Sequence, residues 1–454
     1  MTPDIFETMA FAPSSADDWR ALVKRALKEQ SFDDALVSRT DDGIAFGPIA
    51  GRVHEALLRI RSHPAQPWTI SQRLDDPDLS RAELQIEADV GGGATGLSIS
   101  LMGAASAYGF GVDVEQLSRH LATIRGVQEI RFDAPAKDLG TLLEAIEKRP
   151  EDDVAHVDLG ISPLAEHAPD LIARAFDLDL DGTVMRADGS IAHNAGASEA
   201  QELGFSLAAA VEALRMAEQI GIDADSALAA TEFVLSADQN QFLSIAKFRA
   251  LRILHARLME VLGIEEPFGA HLHAETSYRM LARRDPETNI LRNTIAVFAA
   301  GIGGADSVSV LPHTLALGLP DRFARRIARN TQSVLIDEGH LAHVLDPGAG
   351  SGGIEHLTGE LAEMGWQVFQ QIEGEGGLAQ SITRGLVTAR IDEKRRVRHE
   401  TLVAGDRTII GTTRFMPTRD RPMNVSMERD PSTMERGALS PVRLDETLEA
   451  GEAA

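Results

Sequence analysis

Residues 189–198 read GSIAHNAGAS, and their types could support chemistry. His193 is a candidate proton carrier, followed by Asn194 and a tight Ala-Gly-Ala-Ser run. The same letters also describe a strand end leading into a helix. Other candidates are weaker. His271, His273, His340 and His343 invite a metal reading. His340 and His343 stand at i, i+3, but no carboxylate completes a facial triad at the right spacing, so no metal is expected. The glycine-rich run GAGSGG lacks the lysine and Ser/Thr of a phosphate-binding loop. The pairs Arg283–Arg284 and Arg325–Arg326 read as solvated helix ends. The sequence contains no cysteine, which excludes thiol nucleophiles, thiolate-ligated zinc and iron–sulfur clusters.

The elements that must position these residues alternate between strand and helix. Strand patterns occur at 68–73, 95–102, 129–134, 154–160, 183–188, 230–236, 269–277 and 306–312. Helical stripes lie between several of them. Leu203, Leu207, Val211 and Leu214 share one face of 199–221, and Phe242, Ile245, Phe248 and Leu251 share one of 241–263. Eight such units predict an α/β fold, a (β/α)8 TIM barrel. The barrel is expected over 43–345. It is preceded by an N-terminal helical arm (1–42), in which Trp19, Leu22, Val23 and Leu27 fall at helical spacing over Ala16–Glu29. A C-terminal helical extension (346–416) and a polar tail (417–454), disordered when the chain is alone, are expected to follow.

With 454 residues, 43% of them apolar, the chain can bury a large core. Its formal charge of −25 repels phosphate backbones and excludes nucleic acid as a partner. No apolar run approaches the roughly 18–20 residues of a membrane span, and the N-terminus lacks a signal-peptide pattern, so a cytoplasmic location is expected.

Several ordered stretches resemble the methylmalonyl-CoA mutase family. They are QPWTISQRLDDPD, HAETSYRMLARRDPETNILRNTIAVFAAGIGGADSVSVLPHT, the run from LGLPDRFARRIARNTQ to FQQIE, and TIIGTTRF. The similarity extends from about residue 30 to 416, and the early stretch LVSRTDDGIAFGPIA is closer to the family's small subunit. The resemblance implies a radical rearrangement of acyl-CoA esters with adenosylcobalamin. The CoA tail would run through a barrel lined by small Ser/Thr residues, and a separate domain would present the corrinoid through Asp-x-His-x-x-Gly.

Carried onto this sequence, the family pattern is broken where it matters. Catalytic members carry a Tyr-His pair, aligned here with Ser190 and Ile191, and a tyrosine aligned with Arg73. Losing one preorganised donor of this kind costs about 3–4 kcal/mol of transition-state stabilisation. On a strand, His193 would share a face with Ile191, two residues too late. The segment that grips the substrate carboxylate is not recognisable; 163–182 is remodelled, and Arg174 there reads as solvated. His193-Asn-Ala-Gly has Ile191 where the cobalt-binding motif needs Asp, and the length left after TRF is expected to be too short for a corrinoid domain. Thr276, Ser277 and Arg279 match substrate-binding positions, Glu338 a vestigial cofactor contact, and Asn330–Gln332 a helix motif.

The resemblance therefore implies a non-catalytic small (beta) subunit that binds no cofactor itself. Its partner would be a large catalytic subunit carrying adenosylcobalamin, in a heterodimer. Two alternatives are a catalytic barrel of a split acyl-CoA mutase served by a separate cobalamin-binding chain, and an acyl-CoA-binding regulator.

Overall fold

Each of the eight segments read as a strand forms one. In the computed structural model, which describes residues 15–446 and 448 apart from 60, 63, 65, 122, 123, 150–154, 420 and 430–436, they are β1 (Thr69–Leu74), β2 (Gly96–Ser100), β3 (Glu129–Asp133), β4 (His156–Asp158), β5 (Met185–Asp188), β6 (Thr231–Ala237), β7 (His271–Thr276) and β8 (Ser307–Ser309). Neighbours pair in parallel, β8 pairs with β1, and a parallel bridge from Ile161 to Met185 links the β4 and β5 ends. The result is a (β/α)8 barrel.

Register decides what faces the axis. Ser71, Gly96, Glu129 and His156 lie side by side, as do Arg73, Ser98, Arg131 and Asp158 one step further along. The alternate residues, such as Leu97, Ile99, Ile130 and Phe132, point outward into helices and are fully buried. The hydrophobic core is thus the layer between strands and helices, and the barrel axis is polar.

The long helices follow the expected stripes. Leu203, Leu207 and Leu214 of Glu199–Gln219 are buried, as are Ile245, Phe248 and Leu251 of Gln241–Leu262; Phe242, in the first turn of its helix, is exposed. Helix Gly352–Gly374 lies against both. A Cβ on Gly204 would meet Val368 at 2.5 Å, and one on Gly365 would meet Leu203 at 2.9 Å, so glycines permit this close packing.

The arm helix spans Ala16–Leu27, capped by Ser15 in a capping box with Asp18. None of its residues is buried; Trp19 meets only Phe32 edge-on at 6.0 Å. The described part of the tail departs from the disorder expected of it. Val425–Glu428 pairs antiparallel with Gly318–Pro320, and Arg443 and Asp445 are buried. Its polar composition hides basic side chains that find aromatic and carboxylate partners at the barrel end. No helix among the described residues is long and apolar enough to cross a membrane.

Candidate functional site at the C-terminal mouth of the barrel

The residues after β5 form a short helix, Ser190–Ala195, rather than a strand. Asp188, the last residue of β5, starts it: its Oδ1 accepts from Ser190 N at 2.9 Å and from Ser190 Oγ at 2.5 Å. Gly196, at φ 118°, ends it in a conformation that glycine tolerates best. Residues two apart on a helix do not share a face. The strand placement of His193 beside Ile191 is therefore corrected: Ile191 is half-buried, and His193 is fully buried.

Both ring nitrogens of His193 are engaged. Nδ1 lies 2.8 Å from Glu202 Oε2 and Nε2 2.9 Å from Ser277 Oγ. Glu202 also pairs with the Lys247 ammonium and accepts Ser236 N–H at 2.7 Å. Burial, then the nearby Arg279 and Lys247 charges, push the imidazole well below its ordinary pKa. Ser277, His193 and Glu202 stand in the order of nucleophile, base and orienting carboxylate. They are all inaccessible. The cavity beside Arg279, bounded by Gly196, Arg398 and Leu444, is only about 10 Å³, at the lower limit for one water. As placed, the three residues bond one another and meet no substrate-sized space.

The other positions carried over from the family pattern have internal partners too. Thr276 Oγ1 accepts Leu311 N–H at 2.9 Å. Arg279 donates to Ala197 O at 2.6 Å and His193 O at 3.2 Å, and reaches Asp238 at 3.3 Å and Glu199 at 3.5 Å. Burial opposes the Asp238 charge, but the Arg279 guanidinium outweighs it and holds the carboxyl at about 2.

Arg73 turns into the axis, where Asp75 Oδ2 accepts its Nε at 2.6 Å and Glu275 Oε2 its Nη1 at 3.3 Å. Arg325, read from sequence as a solvated end, is buried and donates to Asp75 Oδ1 at 2.6 Å. Against the effect of burial, these two arginines lower Asp75 to about 2. One layer deeper, Glu232 accepts from Arg131 Nε at 2.6 Å and Arg186 Nε at 2.5 Å. Gly160 at φ 66° makes room for this: a Cβ there would lie 2.4 Å from the Arg186 guanidinium carbon. The axis is therefore filled by guanidinium and carboxylate groups.

The two tyrosines of the chain, Tyr108 and Tyr278, stack over this layer, with centroids 4.3 Å apart. Tyr108 donates to Glu275 Oε1 at 2.8 Å, and Asn194 Nδ2 donates to Tyr108 at 3.3 Å. The tail closes the mouth: Arg429 and Arg443 donate to Tyr278 Oη at 3.2 and 3.3 Å. Sequence reading missed Tyr108, Glu202, Glu232 and Glu275; the scarcity of tyrosine was the one available signal for the first.

Other candidates lie elsewhere. Glu338 is exposed at the N-terminal end of the barrel, beside a cavity of about 640 Å³ shared with Asn330, Trp68 and Gln128, and does not join Ser277 or Arg279. Arg174 pairs with Glu147 at the surface. The His340 and His343 rings stack at 4.8 Å.

A sequence model of the methylmalonyl-CoA mutase family matches residues 183–445. The methylmalonyl-CoA mutase small subunit of Streptomyces virginiae is 35% identical over 97% of this chain and 76% of that one. The chain belongs to the methylmalonyl-CoA mutase family. The small subunit of Propionibacterium freudenreichii subsp. shermanii is 37% identical over 73% of this chain and 54% of that one. A probable small subunit of Mycobacterium tuberculosis is 42% identical over 54% and 43%. The chain thus spans three quarters of one such relative and about half of the others.

Mutases of this family use adenosylcobalamin. The residues described here do not fit it: no histidine of the sequence has Asp two residues before it, and His193 offers no free ring nitrogen.

Proposed function

We propose that this chain is the non-catalytic small subunit of a heterodimeric, adenosylcobalamin-dependent methylmalonyl-CoA mutase. The partner large subunit would carry the corrinoid and interconvert methylmalonyl-CoA and succinyl-CoA. One observation carries this reading. Where a catalytic barrel would admit the CoA chain along its axis, this one holds Arg73, Arg131 and Arg186, each paired with a buried carboxylate. Opening that axis would separate several buried ion pairs, each costing about 3–5 kcal/mol to break.

The arm supports the partner part of the reading. Its apolar residues Trp19, Val23 and Leu27 are only partly buried, and Leu22 is exposed. An apolar set of this kind is suited to lie on a second subunit, as in obligate interfaces of about 2,000 Å² or more.

The test is co-expression with a large mutase chain that carries Asp-x-His-x-x-Gly. The expected result is a stable 1:1 complex whose turnover is unchanged by Ile191→Ala in this chain. A chain that stays monomeric beside every such partner, or that turns over methylmalonyl-CoA when supplied only with a detached corrinoid-binding chain, would overturn the proposal. Titration with CoA esters separates off the regulator reading, which requires binding to the isolated chain.

A further inference from the structure

The N-terminal floor of the barrel holds a second buried cluster, separate from the mouth. His156 and Asp158 are on β4 and His271 begins β7. Glu129 begins β3 as the cross-strand neighbour of His156. One ligand-type atom each from His156, Asp158 and His271 lies within 4.8 Å of the other two. His156 Nε2 is 3.1 Å from Asp158 Oδ1, and His271 Nε2 is 3.7 Å from Asp158 Oδ2. Donors held about 2.0–2.1 Å from a tetrahedral ion sit roughly 3.3 Å apart, so little side-chain movement separates this arrangement from a coordination shell.

His156 Nε2, Asp158 Oδ2 and His271 Nε2 are buried, make no well-formed hydrogen bond and have only these contacts with one another. About nine in ten buried polar atoms are hydrogen-bonded, so a converging set without good bonds is suited to a shared ion. Their surroundings aim them. Thr183 donates to Asp158 Oδ1 from Oγ1 at 2.6 Å and from N at 3.2 Å, leaving Oδ2 toward the cluster. Asp181 Oδ1 lies 3.5 Å from His156 Nδ1, the carboxylate–imidazole relation that leaves Nε2 as the ligand atom. The His156 side chain is 26% exposed and offers a route from solvent.

We propose that His156, Asp158 and His271 form a three-ligand binding site for one first-row divalent cation. Two imidazoles and one carboxylate suit zinc, iron(II), cobalt(II) or nickel(II) and disfavour soft copper(I). The ion would tie β4 to β7, a structural clamp remote from the mouth.

The test uses the full-length chain, stripped with chelator and reloaded with zinc or cobalt(II). One equivalent is expected to survive gel filtration, measured by elemental mass spectrometry. Cobalt(II) should give a visible ligand-field band. Both signals should be lost in His156→Gln and His271→Gln and kept in His340→Gln. Less than a tenth of an equivalent retained by the parent chain overturns the proposal. So does a cobalt spectrum unchanged in His156→Gln, the partly exposed ligand whose replacement disturbs folding least.

Discussion

The two ends of this barrel are built from the same residue types and reach opposite states. At the mouth, Arg73, Asp75, Glu275, Arg279 and Asp238 each have charged partners at hydrogen-bond distance. At the floor, His156, Asp158 and His271 converge on one another without well-formed hydrogen bonds between them. The mouth is where barrels of this architecture do chemistry, and the floor is where they keep their stability. Here the usual site of chemistry has been closed by internal ion pairs and a docked tail. At the other end a cluster of ligand-type atoms lacks well-formed hydrogen bonds. A ligand is therefore better sought at the floor.

The sharpest way to break the comparison is to remove a charge from the filled axis. Glu232 is fully buried and is shared by two buried guanidiniums. Glu232→Ala leaves both cations without that carboxylate, and a loss of about 3–5 kcal/mol or failure to fold is expected by urea denaturation. Combining Glu232→Leu with Arg131→Met and Arg186→Met should restore much of the loss, because replacing a whole buried ion cluster with apolar groups is often neutral. A Glu232→Ala chain that unfolds at the parent's denaturant midpoint would show that these ions are solvated, and that the axis is open.

Next in size is a pH signature that separates the two ends. At the mouth, Asp75 is lowered to about 2, so its contribution is present above the unfolded value near 4 and is lost as pH falls toward 2. At the floor, His271 is raised to about 10. Its contribution is full below the unfolded value near 6.5 and disappears as pH rises through 10. Thermal unfolding in chelator should therefore lose its acid limb in Asp75→Asn and its alkaline limb in His271→Gln. If each variant flattens the opposite limb, or neither does, the assignment of the two ends fails.

Much of this architecture was legible in the chain, because period-two runs and helical stripes are local signals. All eight strands overlap the segments that the alternation marked, two of them running one residue past the end. The mouth was half legible. The resemblance drew attention to Arg73, Ser190, Ile191, Ser277 and Arg279, but not to the carboxylates that occupy the arginines. Asp75 lies two residues from Arg73, whereas Glu275 is 202 away, and only barrel closure brings it in. His193 was misplaced because the choice between strand and helix after Asp188 rests on a cap and a glycine, and a short apolar run does not distinguish the two. The floor was legible only at His271, which sequence reading noted and set aside; its partners His156 and Asp158 come from another strand, β4, so no local spacing around His271 announced them. The tail was read from composition, which counts charges without knowing that Tyr278 waits for them.

The smallest expected effect tests whether the mouth retains any chemistry. Ser277 contributes one hydrogen bond, to a histidine held neutral by burial. If that bond is structural, Ser277→Ala should cost about 1–2 kcal/mol, since His193 Nε2 loses its partner in a site too tight for water. Ser277→Thr should cost as much or more, because the added methyl has no space. Neither variant should change turnover of the complex with a large subunit, nor give the isolated chain any affinity for CoA esters. A reactive triad behaves differently. Its serine would be labelled by a fluorophosphonate probe in the parent chain and not in Ser277→Ala, with stability nearly unmoved. Labelling would require the tail to lift Arg429 and Arg443 from Tyr278, so the same experiment on Arg443→Ala asks whether the closure of the mouth, rather than the chemistry beneath it, keeps Ser277 silent.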